Sequence, residues 1–222
     1  MHGVSRTTHF LVKEVGHRYR GNDPMLTDMA RNYGRGIVDP IARLMNWAGV
    51  SPNAITLIGF TCTSAVAAVL AQGHVRLAGL LLIPASGLDA IDGTLARMMN
   101  RATRFGAFLD STMDRYSETV LLMGALIYFQ SQGASTEVIL CCATLVGSQM
   151  VSYARARAQG IGVDVKDGLL TRFERTLVLI AGLIFNELTI TLWVLAVFTN
   201  LTALQRIWLV WRKTGQDEPQ RQ

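Results

Sequence analysis

An uncharged run of 23 residues at positions 51–73 constrains the fold of this chain more than any other feature. At about 1.5 Å per residue, a helix of that length crosses a hydrocarbon core of about 30 Å. Further uncharged runs lie at 119–136, 138–154 and 188–205, with two shorter ones at 77–88 and 176–186. We therefore predict an all-α, polytopic membrane protein with six transmembrane helices.

The composition agrees with a membrane protein. Hydrophobic residues make up 50% of the 222 residues and charged residues only 17%, which excludes a disordered or fibrous chain. The three cysteines, Cys62, Cys141 and Cys142, all lie in apolar runs, where a thiol packs as a small hydrophobic group. They indicate neither a disulfide scaffold nor a metal site.

The distribution of positive charge predicts the orientation of the chain in the membrane. The formal net charge is +5, with 21 Lys and Arg, and only Arg76 falls in a loop assigned to the outside. Because cytoplasmic loops carry the excess of Lys and Arg, we expect both termini on the cytoplasmic side of the cell (inner) membrane. The basic residues alternate with membrane-length apolar stretches, so we expect membrane lipid and phosphate as partners, and no nucleic acid.

The segments outside the predicted spans complete the domain organisation. Residues 39–50 space Ile41, Leu44, Met45 and Ala48 at helical intervals, as expected of an amphipathic helix that lies in the membrane interface. The predicted organisation is a cytoplasmic N-terminal segment with this helix at 1–50, a six-helix transmembrane domain at 51–212 and a cytoplasmic tail at 213–222.

Four aspartates lie at the predicted cytoplasmic ends of two otherwise apolar helices. Asp89 and Asp92 are three apart and Asp110 and Asp114 four apart, so each pair shares a helix face and a short connection would bring the two faces together. Four unpaired carboxylates would repel one another, which favours a divalent cation, and ligands that are all oxygen favour Mg²⁺ or Mn²⁺ over Zn²⁺. The alternative is that the aspartates cap helices and pair with nearby arginines: Arg97, Arg101, Arg104 and Arg115.

Residues beside the aspartates favour a metal-bridged phosphate over a bare cation. Gly93 and Gly106 allow a backbone or a ligand to approach closely, and Arg97 and Arg104 add positive charge. A cation transporter also places carboxylates in helices, but near the bilayer midplane, whereas these lie at the predicted cytoplasmic boundary. A scaffold or lipid-binding protein would not need four converging aspartates, so an enzyme is favoured.

Residues 89–114 match a longer pattern: D-x-x-D-G-x-x-A-R, eight residues, then G-x-x-x-D-x-x-x-D. This pattern resembles the signature of the CDP-alcohol phosphatidyltransferases, and the segment SPNAIT at 51–56 is similar to the family segment that enters the first span. The resemblance implies transfer of a phosphatidyl group from a CDP-linked lipid to an alcohol, release of CMP, a divalent metal and a homodimer. It implies metal binding by Asp89, Asp92 and Asp110, and a general base at Asp114, which is also a candidate metal ligand.

The same resemblance implies a set of residues that contact the CDP moiety: Asn53, Thr56, Gly93, Arg97 and Thr103. Asn53 and Thr56 have an alternative interpretation as helix-start residues after Pro52. The analogy with the family favours the binding role.

Three arginines are candidates for binding a phosphorylated acceptor: Arg155, Arg175 and Arg206. Arg175 and Arg206 adjoin or interrupt apolar helices, where an arginine needs an anionic partner. Because a guanidinium fork binds phosphate through two parallel hydrogen bonds, a group of three suits an alcohol phosphate better than a neutral alcohol.

The segments SYARARA, TRFER and LQR around these arginines resemble the phosphatidylinositol-phosphate synthase branch of the family. Arg155 departs from that branch, which often has Lys there. The resemblance implies CDP-diacylglycerol as donor and inositol 1-phosphate as acceptor. Glycerol 3-phosphate, the acceptor of a phosphatidylglycerophosphate synthase, and an archaeal-type CDP-archaeol donor stay open as alternatives.

Overall fold

The computed structural model describes residues 40, 43–44, 47–98, 103–165 and 168–215, and of residues 89–98 it describes the backbone alone. Within these residues from position 52 onward it contains six helices: α1 Pro52–Ala71, α2 Val75–Met98, α3 Arg104–Ser131, α4 Ser135–Gly160, α5 Arg172–Phe185 and α6 Leu188–Thr214. The predicted all-α class is confirmed. Four positions of the predicted interfacial helix, Pro40, Arg43, Leu44 and Trp47, are helical. The other positions of that helix before 47 lie outside the described residues, and so does the predicted tail from residue 216 onward. The predicted domain boundaries stay predictions.

Three helices are long and apolar enough to cross a membrane: α1, α4 and α6, with mean hydropathies of 2.0, 1.3 and 1.5. The apolar part of α2 is shorter, Val75–Leu88. Apolar helices of this length satisfy their own backbone hydrogen bonds, as a lipid environment requires. The chain is therefore an integral membrane protein, and the count of six spans stays a prediction.

Caps supplied by the local sequence fix the starts of α1 and α3. Ser51 caps α1, because its Oγ accepts a hydrogen bond from Ala54 N at 3.2 Å. Thr103 caps α3 in the same way, by accepting from Gly106 N at 2.9 Å. Ser51 rather than Asn53 is thus the capping residue of α1, and the side chain of Asn53 is left for another role.

The six helices form a closed ring. Helix α1 packs against α2 and α3, α3 against α4, α4 against α6, α6 against α5, and α5 against α2. Tight turns join α1 to α2, α3 to α4 and α5 to α6, so each of these pairs is antiparallel. The starts of α1, α3 and α5 therefore lie at one end of the ring, together with the ends of α2, α4 and α6.

Small residues bring neighbouring helices of the ring close together. Gly124 of α3 faces the backbone of Ala67 in α1, and Gly147 of α4 faces the hydroxyl of Thr199 in α6. Close approach at glycine is how membrane helices gain packing contacts that lipid cannot replace. The largest fully buried apolar side chains of the described core are Ile55, Leu70, Val165, Leu183 and Leu192.

Candidate active site

The end of the ring at which α1 and α3 begin brings together two of the predicted CDP contacts. A Cβ atom on Gly106 would lie 3.0 Å from Thr103 Oγ1 and 3.2 Å from Asn53 Oδ1. Asn53 and Thr103 therefore meet around Gly106, where any larger residue would crowd both oxygen atoms. One turn further along α1, the buried Thr56 donates its hydroxyl hydrogen to the Pro52 carbonyl at 3.2 Å. This corner of the ring, formed by Asn53, Thr56, Thr103 and Gly106, is called the α1–α3 corner below.

The predicted acidic cluster is described in part. Asp110 and Asp114 are half-buried and lie four residues apart on α3, so they share one face of that helix. Asp89 and Asp92 lie in the last turns of α2, where the backbone is helical, but their side chains, like those of Gly93 and Arg97, are outside the described set. The oxygen donors of Asp110 and Asp114 fit a hard divalent cation such as Mg²⁺ or Mn²⁺. Convergence of all four carboxylates stays a prediction.

Asp114 lies against two arginines. Arg172 Nη1, at the start of α5, is 2.7 Å from Asp114 Oδ2, and Arg115 Nη2 is 3.7 Å from the same oxygen. Arg115 lies before the predicted span at 119–136. Burial lowers the pKa of its guanidinium, and the carboxylates of Asp114 and Glu118 oppose that shift. The alternative interpretation, in which the aspartates pair with arginines near them in sequence, thus holds for Arg115, but the shorter contact comes from Arg172.

A second ion pair lies one turn deeper between the same two helices. Arg175 Nε is 2.9 Å from Glu118 Oε1, and Arg175 Nη2 is 3.1 Å from Glu118 Oε2, which is the two-point geometry of a guanidinium fork on a carboxylate. Arg175 Nη1 also donates to the Leu170 carbonyl at 3.4 Å. The side chains of Arg175 and Glu118 are only 4% and 16% exposed. In this structure the fork of Arg175 is directed at Glu118.

Glu118 and Arg172 are residues of the site that sequence reasoning missed. The sequence did contain an indication of both residues in its spacing. Glu118 follows Asp114 by four residues, and Arg172 precedes Arg175 by three. Each pair therefore shares a helix face. The partner of each residue lies more than fifty positions away along the chain, so the spacing alone could not name it.

Arg175, Arg172 and Glu118 line a cavity of about 50 Å³ to which all six helices contribute side chains. That volume holds a few water molecules at most. Its other walls mix apolar side chains such as Leu121 and Leu179 with hydroxyl groups. Its charged groups are those of Glu118, Arg172 and Arg175.

The three arginines predicted to bind the acceptor phosphate differ in their surroundings. Arg155 is exposed near the end of α4, whereas Arg175 and Arg206 are buried. Arg206 Nη1 donates to the Val151 carbonyl at 2.6 Å, which ties α6 to α4 one turn before Arg155. Convergence of all three on one pocket stays a prediction.

Comparisons with known proteins show the family to which the chain is related. The sequence pattern of the family described as CDP-alcohol phosphatidyltransferase matches residues 49–211. The phosphatidylinositol phosphate synthase of Corynebacterium glutamicum is 35% identical over 193 residues, which covers 82% of this chain and 88% of that protein. The archaetidylinositol phosphate synthase of Methanothermobacter thermautotrophicus is 35% identical over 200 residues, covering 86% of this chain and 97% of that protein.

Solved structures of a Mycobacterium tuberculosis phosphatidylinositol phosphate synthase share the fold. The structure with CDP-DAG bound superposes with a TM-score of 0.74 at 31% sequence identity, covering 79% of this chain and 94% of that one. A second structure of that enzyme, in complex with manganese and citrate, also has a TM-score of 0.74, covering 78% of this chain and 88% of that one. The likeness therefore extends over most of both chains.

Proposed function

The chain belongs to the CDP-alcohol phosphatidyltransferase family, and from that premise we propose that it transfers a phosphatidyl group from CDP-diacylglycerol to inositol 1-phosphate and releases CMP. The observation that carries the proposal is the likeness to phosphatidylinositol phosphate synthases over most of the chain. The protein is accordingly a transferase of phospholipid synthesis. The names of these relatives specify a phosphatidylinositol phosphate as product, which supports a phosphorylated inositol as the acceptor.

We place the CDP group of the donor at the α1–α3 corner. Asn53 Oδ1 and Thr103 Oγ1 both lie beside Gly106, where the two side chains could form hydrogen bonds with a nucleotide. Gly93 and Arg97 belong to the end of α2 and complete the set by analogy with the family. The lipid chains of the donor would then extend from this end of the ring into the membrane.

A divalent metal belongs to the chemistry of this family, and the Mycobacterium tuberculosis relative was solved with manganese. We propose that Asp89, Asp92 and Asp110 hold the metal, with Asp114 at the edge of the cluster, and that Mg²⁺ or Mn²⁺ is the ion. When bound, a divalent metal offsets the negative charge of the diphosphate as the bond to CMP breaks. Carboxylate oxygens are the ligands that these ions prefer.

Asp114 is the proposed general base. Its carboxylate takes the proton from an acceptor hydroxyl, and the hydroxyl oxygen forms a bond to the phosphorus of the phosphatidyl group. The bond from that phosphorus to the CMP oxygen breaks, and its electron pair leaves with CMP. Arg172, 2.7 Å from Asp114 Oδ2, holds the carboxylate in one orientation, which a base needs if its oxygen is to meet the hydroxyl.

The acceptor phosphate is proposed to bind Arg155, with Arg206 supporting it. The Val151 carbonyl that accepts from Arg206 Nη1 at 2.6 Å lies one helical turn before Arg155. Arg206 thus fixes the turn of α4 from which Arg155 projects. A phosphate held there contributes binding energy that positions the distant hydroxyl for attack.

An ether-linked donor is the second candidate, because a relative with 35% identity is an archaetidylinositol phosphate synthase. The reaction with such a donor would have the same acceptor and would differ only in the lipid of the donor. Purified protein should be supplied in turn with CDP-diacylglycerol and CDP-archaeol, together with inositol 1-phosphate and Mg²⁺, and CMP release measured. A higher kcat/KM with CDP-diacylglycerol supports the proposal, and a higher kcat/KM with CDP-archaeol would replace it with the second candidate.

We also propose that the protein is a homodimer with both termini and the active site on the cytoplasmic side. The excess of Lys and Arg at the ends of α2, α4 and α6 supports that orientation. Labelling of engineered cysteines with a membrane-impermeant reagent tests the orientation, and light scattering in detergent tests the dimer. An R76C variant should be labelled from the opposite side to a variant at the α4 end such as R157C.

A further inference from the structure

We propose that an anionic phospholipid of the bilayer binds in a groove between α4 and α6, with its phosphate at Arg157 and one acyl chain along the groove. The groove has a volume of about 440 Å³. None of its lining residues has a part in the proposed transfer reaction, so the inference goes beyond that function. The name α4–α6 groove is used below for the surface lined by these residues: Met150, Tyr153, Arg157, Asn200, Leu204 and Ile207.

The walls of the α4–α6 groove suit an aliphatic chain. Met150, Leu204 and Ile207 are 44%, 62% and 60% exposed, so apolar surface faces outward on both helices. The amide of Asn200 donates to backbone carbonyls of α4 and α6 at 3.1 and 2.8 Å, so its N–H groups already have partners. The volume of the groove lies in the range of about 300–1,000 Å³ that is usual for small-molecule sites. An acyl chain can therefore lie along the groove without meeting an unpaired donor of Asn200.

Arg157 lies at the depth expected for lipid phosphate groups. The uncharged run of α4 ends at position 154, and Arg157 follows three residues later, about 4.5 Å further along the helix axis. Near the end of α6, Trp208 and Trp211 are 50% and 69% exposed, and Arg212 Cζ is 5.6 Å from the centre of the Trp208 ring. Exposed tryptophan beside basic residues is typical of the boundary between hydrocarbon and headgroups. A long basic side chain at this boundary reaches the headgroups while its stem covers apolar surface.

The charges around Arg157 favour an anionic ligand. Its side chain is exposed, and no carboxylate of the described residues forms an ion pair with it. The described lining of the groove contains no acidic residue. A guanidinium can bind phosphate through two parallel hydrogen bonds, and basic pockets between membrane helices bind anionic headgroups. Arg155, proposed for the acceptor phosphate, is two residues earlier and projects from another face of α4, so the two phosphate sites are separate.

A second copy of the chain would complement this groove less well than a lipid. In a two-fold dimer whose copies share one orientation in the membrane, the same surface patch meets itself at equal depth. Helix α6 contains no acidic residue, and α4 contains only Glu137, in its first turn at the opposite end. A contact of this face with itself would therefore leave Arg157 without an anionic partner, whereas a phospholipid supplies one.

Binding of phosphatidylglycerol to the purified protein tests the proposal. Native mass spectrometry in a neutral detergent gives Kd values for phosphatidylglycerol, phosphatidylcholine and a diacylglycerol with the same acyl chains. We expect phosphatidylglycerol to bind about tenfold more tightly than the other two, because only its phosphate carries an uncompensated charge for Arg157. R157Q should lose this preference. A154F, which places a ring in the groove that Ala154 also lines, should weaken binding of all three lipids.

R212Q is the matched control. Arg212 lies near the same boundary, but it contacts Trp208 and does not line the groove, so R212Q should keep the preference for phosphatidylglycerol. A wild-type protein without that preference would overturn the proposal. An equal loss of preference in R157Q and R212Q would also overturn it, because the attraction would then come from the general positive charge of the surface.

The oligomeric state distinguishes a lipid from a second copy. Light scattering in detergent should give the same mass for wild type, R157Q and A154F. A change of mass in either variant would assign the groove to a contact between copies and overturn the proposal. If A154F fails to fold, A154L replaces it with a smaller side chain, and R157Q still tests the phosphate contact.

Discussion

Replacing Asp114 by Asn tests the role of the base with the smallest change of shape. The amide keeps the size of the side chain and removes its ability to take a proton. Loss of a positioned base costs about 10²- to 10⁴-fold in rate, so kcat should fall by that factor. Binding of CDP-diacylglycerol should change little, because the base acts only when the acceptor hydroxyl loses its proton.

The structure indicates that this loss of rate will not come from unfolding. Asp114 is 12% exposed and its partner Arg172 is 32% exposed, and the amide oxygen introduced by D114N could still accept a hydrogen bond from Arg172. After allowance for solvent screening, the variant should lose about 1 kcal/mol of stability. For a chain of this size that corresponds to about 2–4 °C in Tm.

We would measure kcat by CMP release, donor affinity by titration calorimetry and stability by thermal unfolding in detergent. D110N is the matched control, because Asp110 lies one turn away on the same face of α3 and is assigned to the metal alone. It should lose metal affinity together with activity. If the D114N enzyme lost metal and donor affinity in step with its rate, Asp114 would be chiefly a metal ligand and not the base.

The remaining predictions concern metal, acceptor and packing. Excess EDTA should abolish turnover, and added Mg²⁺ or Mn²⁺ should restore it. Full turnover in EDTA would show that the reaction does not require a divalent metal. R155Q should raise the acceptor KM severalfold with the donor KM unchanged, whereas R76Q at the opposite end of the ring should alter neither. G147V should cost about 1–3 kcal/mol of stability through overlap with Thr199, and G87A, at a glycine with open space around it, should cost nothing measurable in thermal unfolding.

Much of the fold could be predicted from the sequence because the information is local. The apolar run at 51–73 lies within one helix and its connection, so its pattern predicted helix α1. The charged position between the runs at 119–136 and 138–154, Glu137, falls inside α4, after the turn at 132–134. The start of α1 was predicted less well. The sequence offers Asn53 and Thr56 as alternative helix-start residues, whereas the hydroxyl of Ser51 forms the cap.

The candidate site could be predicted only where its residues form a local pattern. Asp110 and Asp114 share a face of α3 because of their spacing, and the structure places them there. The partners of Arg175 and Asp114 depended on the start of α5 lying close to α3 at this end of the ring, which no spacing in the sequence specifies. Arg175 was expected to need an anion and has one, but that anion is the carboxylate of Glu118 in the same chain.

The assignment of inositol 1-phosphate as acceptor is tested most directly by a comparison of acceptors with purified protein. CMP release from CDP-diacylglycerol in Mg²⁺ should be measured with inositol 1-phosphate, glycerol 3-phosphate and free inositol, each over a range that gives kcat/KM. We expect the highest kcat/KM for inositol 1-phosphate and almost none for free inositol, because the arginine-bound phosphate positions the hydroxyl. A higher kcat/KM for glycerol 3-phosphate would contradict the acceptor assignment, and equal use of free inositol would contradict the phosphate site itself.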